Sequence, residues 1–161
     1  MAPLVDKAEE TKTFPVELFP KMGAQGYLCV TYDEKYGGAG ADKVCDAIIN
    51  LETARISMAF SCSLSAQALS TFPVVVFGSE EQKEKYFPVA ISGEKTFAFG
   101  MTEPNAGSDS ANIETTAKRD GDSYVINGTK MFVTNGPFGD YITISASTDR
   151  SKGINGIAIF V

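Results

Sequence analysis

Apolar residues in the first half of the chain recur at the spacing of α-helices. A spacing close to 3.6 residues predicts an amphipathic helix over 44–56, with Asp42 or Ala41 as its N-cap. Segment 57–77 is small or apolar at nearly every position, which predicts a buried helix that Pro73 kinks or restarts. The apolar positions of the first of these helices are Val44, Ala47, Ile48, Leu51, Ala54 and Ile56.

The flanking segments carry further helix signals. Leu4–Lys12 is predicted to be helical, and another helix is predicted to begin at Pro15 or at Pro20, because proline fits a first helical turn. Tyr27–Thr31 is predicted to be a short extended piece. Ser79 and Gln82 have the spacing of a capping box, which predicts a last helix through about position 91.

From Lys95 onward the pattern changes to alternation, with turn residues about every eight to twelve positions. Asp120-Gly121-Asp122 and Asn127-Gly128 are predicted to be hairpin turns. The change of period predicts an α+β protein, in which a helical domain over 1–93 precedes an incomplete antiparallel β-barrel domain over 94–161. The order of strand pairing stays open. The predicted strands are 96–99, 114–119, 123–126, 129–134, 141–147 and 156–161.

Composition and charge narrow the class of protein. The 161 residues are enough for one ordinary domain or two small ones, and 43% apolar with 21% charged residues is typical of a soluble globular protein. A net charge of −6 argues against nucleic acid as a main partner. No uninterrupted apolar run reaches the roughly 18 residues of a membrane span, and the first residues do not resemble a signal peptide.

The numbers of cysteine and histidine residues limit which disulfides, metal sites and catalytic mechanisms are possible. Cys29, Cys45 and Cys62 have no CxxC spacing, so we expect core thiols in a reducing compartment. The absence of histidine excludes Ser–His and Cys–His nucleophilic mechanisms and most zinc chemistry. Any catalysis here therefore needs carboxylates or a cofactor.

Two short motifs have structural interpretations that we favour. Tyr36–Gly40 is glycine-rich, but Lys43 stands where G-x-G-x-x-G needs its third glycine, so a structural loop is favoured over nicotinamide binding. Asn127-Gly128-Thr129 is formally a glycosylation sequon, but without a secretory signal it is interpreted as a type I′ turn.

The loop 102–109 follows a predicted strand and holds most of the candidate chemistry. Glu103 and Asp109 could form an acid–base pair. We favour a structural role, in which Asp109 orders the loop through backbone N–H groups and Glu103 is a conformational anchor before a proline. Gly107 and Ser108 could form a simple turn, but their small size also lets a planar ligand approach the backbone.

Two segments together resemble the flavin signatures of the acyl-CoA dehydrogenase family. Met101–Asp109, with the sequence MTEPNAGSD, resembles the first signature, and Asn127–Asn135, with the sequence NGTKMFVTN, resembles the second. The resemblance extends upstream through Tyr36–Gly40. The family commonly has Trp at the position of Phe132, which keeps an aromatic wall here without an indole N–H.

The resemblance implies that this chain contributes to an FAD site. It places Thr134 near flavin N5, and Thr102 with the Met101 backbone near the pyrimidine carbonyls. Phe99 and Phe132 would wall the ring system, and Ser108 would also reach acyl-CoA. The implied cofactor-binding set is Phe99, Met101, Thr102, Gly107, Ser108, Phe132, Val133 and Thr134.

The implied activity is α,β-desaturation of an acyl-CoA thioester in fatty acid β-oxidation, with hydride transfer to N5. The implied partners are acyl-CoA and an electron-transfer flavoprotein, in a homo-oligomer of the cytoplasm or, in a eukaryote, the mitochondrial matrix. The family's general base lies in a carboxy-terminal helical domain, and no residue here matches it. We therefore expect this chain to be part of a longer protein, truncated at its start and lacking further barrel.

Two classes of function stay open. The first is a dehydrogenase represented by one of its pieces. The second is a non-catalytic flavin- or acyl-CoA-binding remnant that interacts with another chain. In either case residues 1–161 alone are expected to bind FAD weakly or not at all, and to show no measurable turnover.

Overall fold

The computed structural model describes all residues, Met1–Val161, and shows helices followed by a sheet. The α-helices are α1 Ala2–Thr11, α2 Leu18–Ala24, α3 Lys43–Ile56, α4 Met58–Phe77 and α5 Glu80–Ile91. The strands are β1 Phe97–Gly100, β2 Thr116–Asp120, β3 Ser123–Asn127, β4 Tyr141–Ser147 and β5 Ile157–Phe160. Short 3₁₀ segments cover Glu34–Tyr36, Ser110–Asn112 and Arg150–Gly156.

Side-chain caps explain where the long helices begin. The Asp42 carboxylate accepts hydrogen bonds from the first turn of α3, and the Ser57 hydroxyl accepts one at the start of α4. Ser79 and Gln82 form the predicted capping box of α5. By contrast, α2 begins at Leu18, between the two predicted starts, and α4 runs through Pro73 without a restart.

Helix α4 lies at the centre of the packing, but only one of its faces is buried. That buried face is largely polar, with hydrogen-bonded serine, threonine and glutamine side chains. The opposite face exposes Leu69, Phe72 and Phe77, so the prediction of a buried helix is right for one face only. The predicted apolar face of α3 is also exposed, since Val44 and Leu51 are 64% and 60% accessible.

By length and composition alone, α4 could cross a membrane. The sequence criterion missed this because serine and glutamine residues interrupt the apolar run. Half of the stretch is buried inside the protein, and Gln67 and Thr71 hydrogen-bond within that interior. These contacts favour a core helix, which passes the same length test.

Two apolar clusters form the core. One joins α2 to the start of α4 through Leu18, Phe19, Leu28, Phe60 and Leu64. The other joins the end of α5 to the sheet, where the rings of Phe97 and Tyr141 stack at 4.9 Å. The two clusters together fix the helices against one end of the sheet.

The segment before α3 and the thiols differ from the sequence expectations. Tyr27–Thr31 forms bends and turns rather than an extended piece, and Cys29 has a φ of 48°. Cys29 is buried, and burial raises the pKa of its thiol to about 12. Cys45 and Cys62 are exposed, so only one of the three predicted core thiols is in the core.

The five strands form one open, mixed sheet in the order β1-β4-β2-β3, with β5 paired to β4. This confirms a helical region followed by an incomplete β structure. The sheet is mixed rather than antiparallel throughout, because β1–β4 and β2–β4 are parallel. Parallel neighbours need a long connection, which the segment between Gly100 and Tyr141 supplies. The division into domains at 93/94 remains a prediction.

The hairpin predictions were partly right. β2 and β3 pair antiparallel around Gly121, whose φ of 59° suits its turn. The predicted strand 129–134 is absent apart from an isolated bridge between Thr134 and Phe99. Asn127-Gly128 is not a turn, because Asn127 ends β3 and Gly128 lacks the positive φ of a type I′ turn.

Candidate functional site

A cleft of about 740 Å³ lies between α4 and the loops that follow β1 and precede β4. We call it the α4–β1 cleft. A volume of this size is within the usual range of small-molecule sites. Its lining residues are, from α3 and α4, Asn50, Ser61, Cys62, Ser65, Ala66 and Leu69 and, from the sheet side, Phe99, Met101, Thr102, Met131, Phe132 and Thr134.

Most of the sequence-predicted flavin residues meet in this cleft, although they come from two separate motifs. The antiparallel bridge between Phe99 and Thr134 joins the end of β1 to the second motif. The Met131 N–H donates to the Thr102 carbonyl at 2.8 Å, which extends the connection. The predicted residues that line the cleft are Phe99, Met101, Thr102, Phe132 and Thr134.

The other three predicted residues lie outside the lining. Gly107 and Ser108 are exposed on the loop before the Ser110–Asn112 segment. Gly107 has no positive φ, and a Cβ there would meet nothing within 4 Å, so no backbone strain requires glycine. Val133 is half-buried against Gly100 rather than open to the cleft.

Phe132 combines two unfavourable features at the cleft wall. Its φ is 54°, which is rare for a bulky residue, and its side chain is 85% exposed. Strained backbone and exposed aromatic surface both cost stability, and such positions cluster at ligand sites. The sequence indicated the aromatic wall but carried no signal for its backbone conformation.

A buried ion pair between Lys130 and Glu103 lies next in sequence to residues that line the cleft. Lys130 Nζ donates to Glu103 Oε1 at 2.8 Å, to the Met101 carbonyl at 3.1 Å and to Ser145 Oγ at 3.1 Å. This ammonium therefore ties the first flavin motif to the second and to β4. Sequence analysis missed Lys130, and the only available signal was a lone cation within the second motif.

Glu103 also accepts hydrogen bonds from the backbone N–H groups of Glu114, at 2.5 Å, and Thr115, at 3.1 Å. Burial favours the protonated form of its carboxyl, but Lys130 and these N–H groups outweigh burial and hold the pKa at about 2. A carboxylate this strongly engaged is an anchor, as predicted, and is poorly suited to accept a proton.

The predicted role of Asp109 is wrong. Its side chain makes no capping hydrogen bond at the Ser110–Asn112 segment, and only its backbone carbonyl accepts from the Asn112 N–H at 3.1 Å. Glu103, which bonds the backbone on the far side of the loop, orders this region instead.

The glycine-rich loop before α3 has the structural role that was favoured. Gly37 and Gly40 have φ values of 94° and 58°, and a Cβ on Gly38 would lie 2.1 Å from the Tyr32 carbonyl oxygen. None of these residues lines the α4–β1 cleft.

The lining of the cleft fits a planar aromatic ligand with a polar edge. Phe99, Phe132 and Leu69 offer apolar surface, while Thr102 and Thr134 bring hydroxyl groups. Those features match what an isoalloxazine ring needs from a protein, namely apolar walls and hydrogen-bond donors at its edge.

Comparison with known proteins gives matches along almost the whole chain. Residues 1–94 match the family described as "Acyl-CoA dehydrogenase, N-terminal domain", and residues 98–161 match "Acyl-CoA dehydrogenase, middle domain". The sequence is 42% identical over 160 residues to a 3-(aryl)acrylate reductase of Clostridium sporogenes and to a short-chain specific acyl-CoA dehydrogenase of Clostridium acetobutylicum. In both cases the match covers 99% of this chain and 42% of the relative.

Further matches come from a complex and from solved structures. A subunit of the caffeyl-CoA reductase–Etf complex of Acetobacterium woodii is 41% identical over 98% of this chain and 42% of that subunit. An acyl-CoA dehydrogenase from Geobacillus kaustophilus superposes with a TM-score of 0.91 at 39% identity, covering 98% of this chain and 42% of that one. A glutaryl-CoA dehydrogenase from Mycobacterium smegmatis in complex with FADH2 also gives 0.91, at 36% identity, covering 99% and 40%.

Proposed function

The chain belongs to the acyl-CoA dehydrogenase family, and on that basis we propose that it supplies the flavin-contacting side of an FAD-dependent oxidoreductase acting on acyl-CoA thioesters. The observation that carries the proposal is the convergence of both flavin motifs on one cleft. Phe99, Met101 and Thr102 from the first part meet Phe132 and Thr134 from the second. A relative's complex with FADH2 supports the choice of cofactor.

Each residue of the cleft has a role that follows from its chemistry. Phe99 and Phe132 would cover the faces of the ring system, and the hydroxyls of Thr102 and Thr134 would donate to its polar edge. When bound, FAD would supply the acceptor for the hydride that leaves the acyl group. Lys130 keeps the backbone of the first motif in place through the Met101 carbonyl, which preorganises these donors.

The acyl-CoA and the electron acceptor are further parts of the proposal. The exposed position of Ser108, outside the cleft, leaves its hydroxyl accessible to the extended part of a thioester substrate. A relative named as a subunit of a reductase–Etf complex supports an electron-transfer flavoprotein as the acceptor. Acyl-CoA oxidation in a homo-oligomer is proposed on the family's pattern alone.

No carboxylate lines the α4–β1 cleft, so this chain presents no placed base for the α-proton. General-base assistance is typically worth a factor of 10²–10⁴. We therefore expect residues 1–161 alone to have no measurable turnover. The same observation also fits the second candidate function, a non-catalytic flavin- or acyl-CoA-binding protein that interacts with another chain. Turnover of acyl-CoA by the purified chain without a partner would refute this expectation and the second candidate function.

The proposal is tested by titrating the ¹⁵N-labelled chain with FAD in NMR spectra. An open cleft keeps water near the ring and weakens its hydrogen bonds, so we expect weak binding. The largest shift changes should fall on 99–102 and 131–134. Thr134→Val should weaken binding about fivefold, the equivalent of one hydrogen bond of about 1 kcal/mol, while the control Thr129→Val should not. Shift changes clustered outside the cleft, or an FAD affinity that Thr134→Val leaves unchanged, would refute the proposal.

A further inference from the structure

At Phe97, the outer edge of β1 hydrogen-bonds to two amide side chains rather than to another strand. β1 lies at one end of the strand order, with β4 on its other side. On the free edge, the Phe97 N–H donates to Gln67 Oε1 at 2.9 Å, and the Phe97 carbonyl accepts from Asn135 Nδ2 at 3.0 Å. Both backbone groups of this edge residue are therefore satisfied by side chains.

Gln67, on α4, is completely buried and makes further hydrogen bonds. Its Nε2 donates to the Ala90 carbonyl at 3.0 Å and to the Lys95 carbonyl at 2.6 Å. These contacts use both amide hydrogens, and the oxygen accepts from Phe97. One side chain thus joins α4, the end of α5 and the start of β1.

Asn135 makes the matching connection from the second flavin motif. It is buried, and its φ is 66°, a conformation that asparagine tolerates better than most residues. Its Nδ2 donates to the Ser63 carbonyl at 2.9 Å as well as to Phe97, and its Oδ1 accepts from the Ser63 hydroxyl. Asn135 directly follows Thr134, so these bonds tie the second flavin motif to both α4 and β1.

These bonds connect the two walls of the α4–β1 cleft. Ser63 and Gln67 lie on α4 among cleft-lining residues such as Cys62 and Ala66. The next residue of β1 on the same edge, Phe99, is bridged to Thr134, directly before Asn135. Burying two amides is costly unless every polar atom is paired, and packing alone would be served by apolar side chains.

We propose that Gln67 and Asn135 are positioning residues of the flavin cleft. They clamp the edge of β1 to α4 and so hold Phe99 opposite Thr134. The ligand's identity in this proposal rests on the proposed function, whereas the clamp can be measured without ligand.

The test compares Asn135→Gly, which permits a positive φ but removes the amide, and Gln67→Met, which keeps length but removes the hydrogen bonds. The control is Thr143→Val. The Thr143 hydroxyl donates to the Ser70 carbonyl at 2.7 Å, so this variant also removes a buried bond between α4 and the sheet. Thr143 is paired with Phe99 across β1 and β4 but does not line the cleft, and its bond involves neither Phe97 nor Asn135. The midpoint of thermal unfolding is measured for each variant, so that the clamp variants and the control are compared at similar stability.

Nuclear Overhauser effects between the Phe99 ring and the Thr134 methyl group report the clamp, and FAD titration reports binding. We expect Asn135→Gly and Gln67→Met to lose the Phe99–Thr134 effects and to weaken FAD binding at least tenfold, while Thr143→Val keeps both. If Asn135→Gly does not fold, Gln67→Met gives the result.

Two outcomes would overturn the clamp. The first is that Asn135→Gly or Gln67→Met retains both the Phe99–Thr134 nuclear Overhauser effects and the FAD affinity of the wild type. The second is that Thr143→Val loses them to the same extent, which would show that any loss of stability gives this result. If the FAD-induced shifts of the wild type fall outside the cleft, the proposed function fails, and the ligand-free comparison still decides whether the amides hold Phe99 opposite Thr134.

Discussion

Replacing Glu103 with glutamine should destabilise the protein far more than removing an ordinary surface charge. The side chains of Glu103 and Lys130 are 3% and 9% exposed, and they are paired at 2.8 Å. Glutamine keeps the shape of the side chain but removes the negative charge. The Lys130 ammonium would then stay buried without a carboxylate partner, which is the costly state.

The loss of unfolding free energy in Glu103→Gln can be estimated in two ways, and the two values agree. The carboxyl pKa falls from its ordinary value of 4.5 to about 2, and each unit is worth 1.36 kcal/mol, so the charged carboxylate stabilises the fold by about 3 kcal/mol at neutral pH. Breaking a buried pair by removing one partner costs roughly 3–5 kcal/mol. We therefore expect Glu103→Gln to lower the free energy of unfolding by about 3 kcal/mol.

The same shift gives a pH signature with a definite sign. Because the folded-state pKa is lowered, the stabilisation is fully present above pH 4.5 and is lost as the pH falls towards 2. In Glu103→Gln that part of the pH dependence should disappear. At pH 2 the wild type and the variant should differ much less than at pH 7.

Urea unfolding followed by far-UV circular dichroism suits this chain, which has no tryptophan. The control is Glu52→Gln, whose partner Arg55 is 71% exposed, so its loss should stay below about 1 kcal/mol. Adding Lys130→Met to Glu103→Gln should recover part of the loss by removing the unpaired charge. A loss below about 1 kcal/mol in Glu103→Gln, or an unchanged acid profile, would refute the buried-anchor interpretation.

Three further measurements test other parts of the structure. Gly128→Val should lower the unfolding free energy by about 1 kcal/mol or more, since a Cβ there would lie 2.1 Å from Thr115 Oγ1. The control Gly107→Ala should leave stability unchanged, and equal thermal midpoints for the two variants would contradict this prediction. Phe132→Ala should change stability by no more than about 0.5 kcal/mol, because the ring is 85% exposed, yet weaken FAD binding in the NMR titration; unchanged binding would remove Phe132 from the site. A thiol reagent at pH 8 should modify Cys62 quickly, Cys45 more slowly because Asp42 raises the pKa of its thiol, and Cys29 only after denaturation. Modification of Cys29 in the folded chain at the rate of Cys62 would show that Cys29 is not buried.

The sequence by itself determined the features that depend on neighbouring residues. Asp42, Ser79 and Gln82 act within one helical turn, so their caps were predictable from spacing. Gly121 fixes a hairpin over a few residues in the same way. The two flavin motifs contain five of the six lining residues on the sheet side of the cleft, because each motif is contiguous in the chain.

Only the tertiary structure decided how distant segments meet. The parallel pairing of β1 with β4 follows from the path of the chain between Gly100 and Tyr141, which no local pattern specifies. The ion pair of Lys130 with Glu103 and the bonds from Gln67 and Asn135 to Phe97 join residues far apart in sequence. Such contacts form where burial makes an unpaired polar group costly, and burial is a property of the assembled fold rather than of any segment.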